Sequence, residues 1–211
     1  EKNYIDDVFS TYLWDGSGSS KSINNGINLS ESGGLVWTKR RDSAQDHYLF
    51  DTVRGTGDYI STNNSYGEES DANSLSAFNT TGFSLGSNAK VNASGNEYAS
   101  WTFRKAPGFF DVVSWTGDGN GSRQISHALE SVPGCIMIKR TDSNYNWYVY
   151  HRELASSNPQ NYLIRINENS ARTNTTGQPW MAAAPTSTNF TLAADIGGSG
   201  YEGLNTNGES Y

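Results

Sequence analysis

Two glycine-rich stretches hold the side chains best spaced for chemistry. DGSGSS (Asp15 to Ser20) and TGDGNGS (Thr116 to Ser122) each place oxygens at alternate positions: Asp15, Ser17 and Ser19 in one, Asp118, Asn120 and Ser122 in the other. Alternating oxygens on a tight loop resemble the way a calcium loop wraps its ion, but the late acidic ligand of an EF-hand is missing. The acids also fall out of step when the two stretches are superposed on Gly16 and Gly117. A phosphate cradle is ruled out as well, because no Lys-Ser or Lys-Thr pair follows at the Walker spacing. The glycines therefore read as turn formers, and no metal is expected.

Asp46, Asp51 and Glu153 are the acids a glycosidase could use, but such chemistry needs two carboxyl groups facing across a cleft. His47, His127 and His151 supply the imidazoles, yet neither a G-x-S-x-G elbow nor an H-E-x-x-H zinc pair is present. Cys135 is the one cysteine, so an internal disulfide is excluded, and a buried structural thiol is expected. No catalytic residue, cofactor or enzymatic activity follows. Aromatic rings remain: Trp180 in GQPWMAAAP, and Tyr66 and Tyr145 in turns, are the candidate glycan contacts, since flat rings stack on sugar faces.

These side chains must be carried by short strands. The chain is 35% hydrophobic with a net charge of -7, and 6 Trp, 12 Tyr and 8 Phe make up for a thin aliphatic content. Each buried ring removes roughly 150–250 Å² from water, so a small sandwich needs few of them. The negative charge argues against a nucleic-acid partner, which would require phosphate neutralisation. No apolar run of about 18 residues exists, so no membrane insertion by a helix is expected.

LVWTKRRDSAQDHYLFD, from Leu35, aligns without a gap on CIMIKRTDSNYNWYVYH, from Cys135. YLWDGSG answers VSWTGDG, TTGFSL answers STNFTL, and NASGNEY answers NTNGESY. The repetition implies an all-β chain of two tandem antiparallel β-sandwich (jelly-roll-like) domains related by an internal repeat. The expected division is residues 1–8 as leader or linker, 9–105 as the first domain and 106–211 as the second. ASWTF (Ala99 to Phe103) follows the first NASGNEY as a strand. Nothing equivalent follows the second phrase, so the second domain is expected to lack its last strand and the chain to be a piece of a longer polypeptide.

GGLVWTKRRDSAQDHYLFDTVRG, NSLSAFNTTGFSLGS, ASWTFRKAPGFFDVVSWTGDG, SVPGCIMIKRTDSNYNWYVYHREL and PTSTNFTL resemble a repeat module of virion proteins of tailed marine bacteriophages of the cyanophage type. The resemblance implies a non-enzymatic structural component of a phage particle, such as a tail fibre, spike or capsid-surface appendage. It would be made in the host cytoplasm and lie at the virion surface. The partners implied are other virion proteins and further copies of the chain, a trimer being frequent among fibres. The alternative is a module that recognises a host surface glycan.

Overall fold

The structure, a computed structural model, describes residues 3–194 and 204–211. Strands hold 37% of the residues and helices 6%, which places the chain in the all-β class. Two compact units divide it: the first is Glu1–Thr62 with Glu68–Val112, the second Asn63–Gly67 with Val113–Tyr211.

In the first unit a single helical turn, α1 (Ile5–Val8), precedes β1 (Phe9–Asp15), and a six-stranded antiparallel sheet follows. With β3 (Gly34–Arg40), β4 (His47–Asp51), β5 (Asp58–Ser61), β6 (Glu69–Ser70) and β9 (Glu97–Arg104), its order is β1-β9-β3-β4-β5-β6. A three-stranded sheet has the order β2-β8-β7, from β2 (Lys21–Asn24), β7 (Leu75–Asn79) and β8 (Gly82–Leu85). Successive strand residues face opposite ways, so β3 sends Val36 and Thr38 inward and Trp37 outward. The core cluster joins Val36, Phe50 and Tyr98 of the larger sheet to Ile23, Leu75, Phe83 and Leu85 of the smaller one. Burying each such aliphatic or aromatic side chain contributes about 1.5–3 kcal/mol.

In the second unit β10 (Arg123–Ser126), β15 (Met181–Ala183) and β16 (Asn189–Leu192) form a sheet ordered β10-β16-β15. β11 (Cys135–Ile138) and β12 (Tyr148–His151) form a hairpin, which Val149 extends by bridging Ile164. β13 (Tyr162–Leu163) and β14 (Thr173–Asn174) pair with each other. The core draws on Ile125, Ile138, Tyr148, Leu163, Trp180, Phe190 and Leu192.

Several expectations change. Residues 1–8 are more than a leader, since Val8 is buried at the end of α1. Residues 106–112 pack in the first unit, where Lys105 pairs with Asp111 at 2.8 Å and Ala106 bridges Phe110. Cys135 is exposed rather than buried, because nothing among the described residues pairs with the outer edge of β11.

Candidate functional site

The structure gives the glycine loops a mechanical role. Asn92, the last residue of α2 (Ala89–Asn92), is fully buried, and its Oδ1 accepts from the Ser17 amide at 2.9 Å. Its Nδ2 donates to the Ser19 and Gly86 carbonyls at 2.5 and 2.7 Å. In the second unit the fully buried Asn205 accepts from the Asp118 amide and donates to Asp118 Oδ1 and to the Asn120 carbonyl. Of the side-chain oxygens that suggested a cation loop, these amides engage Ser17 Oγ and Asp118 Oδ1, while at Ser19 and Asn120 they take the main-chain carbonyl instead. The Asn205 amide, together with the Asn120 backbone, holds the Asp118 carboxyl below its ordinary range. Glycine is required beside each clasp: a Cβ on Gly16 would lie 2.0 Å from the Ala93 carbonyl oxygen, and one on Gly117 the same distance from that of Thr206.

Asp51 is buried, accepts from the Val53 and Arg54 amides and binds Arg54 Nε at 2.6 Å, which fixes the turn after β4. Glu153 is exposed in the second unit, whereas Asp46 and Asp51 belong to the first. His47 is half-buried and accepts from Trp37 Nε1 at 3.0 Å, and burial pushes its pKa down. Trp37 also meets Trp101 edge-on at 6.1 Å on the same sheet face. An open cleft of about 680 Å³ in the first unit has Phe78, Glu31 and Lys105 on its walls. Both charged groups there are already engaged, Glu31 by Asn28 and Lys105 by Asp111.

The three aromatic candidates separate. Trp180 is only 2% exposed and packs in the core with Met181 and Phe190, so it cannot offer a ring to a sugar. Its segment adds β15 to β16 instead of looping out. Tyr66 is 54% exposed, and Tyr145 is half-buried with the Arg140 guanidinium 4.6 Å from its ring centre. Their segments are tied together: the Gly67 amide donates to Asn144 Oδ1, and Lys139 Nζ donates to the Ser65 carbonyl.

The same ammonium reaches the Arg140 and Ser143 carbonyls, which uses its three donors. Lys139 is 5% exposed, and burial lowers its pKa to about 8. Arg140 beside it binds Asp142 at 2.6 Å and Glu209 at 2.7 Å. The sequence reading passed over Lys139 and Arg140, although the repeated Lys-Arg-x-Asp-Ser phrase marked them. What this arrangement offers is binding: an exposed ring, a second ring backed by a cation, and main-chain polar groups on a short loop.

Docking of residues 63–67 depends on close approach. A Cβ on Gly67 would come within 2.8 Å of the Thr141 carbonyl oxygen and 3.2 Å of the Ser143 nitrogen. Gly67→Ala is expected to lift the loop and destabilise the second unit by about 1 kcal/mol, the value of a typical hydrogen bond. Faster amide exchange at Gly67, with β16 unchanged, is the measurement that checks it.

No curated protein and no solved structure matches the chain. One family model does, described as Domain of unknown function (DUF7483), and it covers residues 5–211. Because that match takes in both glycine-loop clasps and the Tyr66–Tyr145 patch, the chain as a whole belongs to the DUF7483 family.

Proposed function

We propose that the chain is a non-enzymatic structural component of a bacteriophage virion, made of two tandem β-sandwich domains related by an internal repeat. It acts by shape and contact in a tail fibre, spike or capsid-surface appendage, alongside other virion proteins and further copies of itself. The carrying observation is that the geometry found in both units is geometry that holds a fold. Trp14 stacks on Tyr98 at 5.5 Å and Trp115 on Tyr211 at 5.2 Å. Asn92 and Asn205 clasp the glycine loops, and Arg40–Asp42 and Arg140–Asp142 pair at 2.5 and 2.6 Å. The acids do not recur: Asn146 stands opposite Asp46 and His151 opposite Asp51. The virion setting rests on the phrases quoted above.

A second reading is favoured by one feature, the exposed Tyr66 held beside the turn of Tyr145. Under it the second unit grips a host surface glycan by ring stacking, without Trp180. Antibody labelling of intact particles tests the first reading. Label on the particle supports it, and a particle that lacks the chain sinks it. If Tyr66→Ala abolishes attachment to host cells while particles still assemble, the glycan reading takes precedence.

A further inference from the structure

We propose that the second unit contains an acceptor lane for one added antiparallel β-strand, between residues 113–115 and the outer edge of β11. This rests on the internal-repeat reading above. Ser210 and Tyr211 already lie at the mouth of the lane. Trp115 and Tyr211 exchange both backbone hydrogen bonds, Thr116 bridges Ser210, and the Thr141 amide donates to the Ser210 carbonyl at 2.9 Å. In the first unit Glu97 and Tyr98 make the matching contacts, with the Arg41 amide donating to the Glu97 carbonyl. There the strand runs on to Arg104 and pairs with both neighbours, β1 and β3.

Burial shows what the lane lacks. Where β9 fills the slot, Trp14 is 6% exposed and Val36 is fully buried. Their counterparts Trp115 and Ile136 are only partly buried, Cys135 is exposed and Met137 is 38% exposed. Among the described residues β11 pairs only with β12, which leaves a row of edge amides and carbonyls of the kind that recruits a strand.

The first unit also fixes the chemistry of the occupant. After Tyr98 the strand reads Ala99-Ser100-Trp101-Thr102-Phe103-Arg104, with Ser100 and Thr102 fully buried on the inner face and Trp101 and Phe103 on the outer. The occupant is an extended segment with small or hydroxylated residues inward and apolar residues outward. In the same register its second residue lies opposite Ile138, its fourth opposite Ile136 and its fifth opposite Cys135.

The test appends Ala-Ser-Trp-Thr-Phe-Arg directly after Tyr211 and follows β11 amide exchange and alkylation of Cys135 by iodoacetamide. Both are expected to slow several-fold, and a matched extension with proline in fifth place, which removes a donor facing β11, should leave both fast. Unchanged exchange and alkylation with the unmodified extension overturn the proposal. Concentration-dependent protection of β11 in the unextended chain also overturns it, by making a second copy the occupant. These readouts are taken on the isolated chain, so the antibody result can fail while the lane stands, and the reverse.

Discussion

Alanine at Asn92 is expected to destabilise the first unit by about 3–4 kcal/mol, and Asn205→Ala the second by about 3 kcal/mol. The estimate follows from what truncation strands. Asn92 serves the Ser17 amide and the Ser19 and Gly86 carbonyls, and each buried polar group left unpaired costs about 1–3 kcal/mol. Exposed neighbours such as Ser19 let water repair part of the loss. Asn205 also serves three groups, but one of them, the Asp118 carboxylate, is partly exposed and paired with Arg123 as well, which gives the smaller figure. Asn92→Asp should not rescue the first unit, because a carboxylate cannot donate to two carbonyls. Amide exchange read separately on β3 and β9 and on β10 and β16 checks this. Losses confined to the mutated unit fit two clasps of equal role. A change under about 1 kcal/mol in either variant would make that clasp incidental.

What could be read in the sequence was whatever repeats locally. β4 (HYLFD) and β8 (GFSL) lie inside the repeated phrases, where dense aromatic and aliphatic residues mark strands. β7 was hidden by an irregularity: the register shifts between Leu75 and Ala77, so its apolar residues Leu75 and Phe78 stand three apart and break the two-residue alternation. β2 and β10 each carry a single apolar residue, Ile23 and Ile125, too little for a pattern. Residues 113–115, which answer Tyr12 to Trp14 of β1 in the repeat, form no strand, since the adjoining lane holds only Ser210 and Tyr211 among the described residues. The phrases NASGNEY and NTNGESY were visible, but their work was not. Asn92 and Asn205 act on loops 75 and 87 residues away, a distance no local pattern spans. The patch was half legible for the same reason: Tyr66 and Tyr145 were picked as turn rings, while Trp180, chosen by the same argument, entered the core.

Raising the pH from 7.5 to 10 is expected to stabilise the second unit by up to about 3 kcal/mol, and Lys139→Met should remove that rise. Burial brings the Lys139 pKa from 10.5 down to about 8, against a partial counter-effect of Asp142 and with Arg140 adding to the depression. Between those two values the unfolded chain keeps a proton that the folded chain has released, so stability climbs with pH. The fall from 10.5 to about 8, at 1.36 kcal/mol for each tenfold change in proton affinity, sets the ceiling. Tyr150, raised by burial, works in the opposite direction only above the ordinary tyrosine range near 10, so it leaves most of the window clear. The exposed Cys135 is removed by taking the difference between wild type and variant at each pH. At pH 7.5 methionine relieves the cost of a buried charge but leaves the Ser65, Arg140 and Ser143 carbonyls without their donor, so the two proteins should be close in stability. By pH 10 wild type should be the more stable, and chemical denaturation at the two pH values shows whether the curves diverge. Parallel curves would mean that Lys139 is solvated in solution and that the loop from Asn63 to Gly67 does not seal it. In that event Tyr66 would lose the anchor that places it beside Tyr145, and the glycan reading would lose its geometric support along with the pH effect.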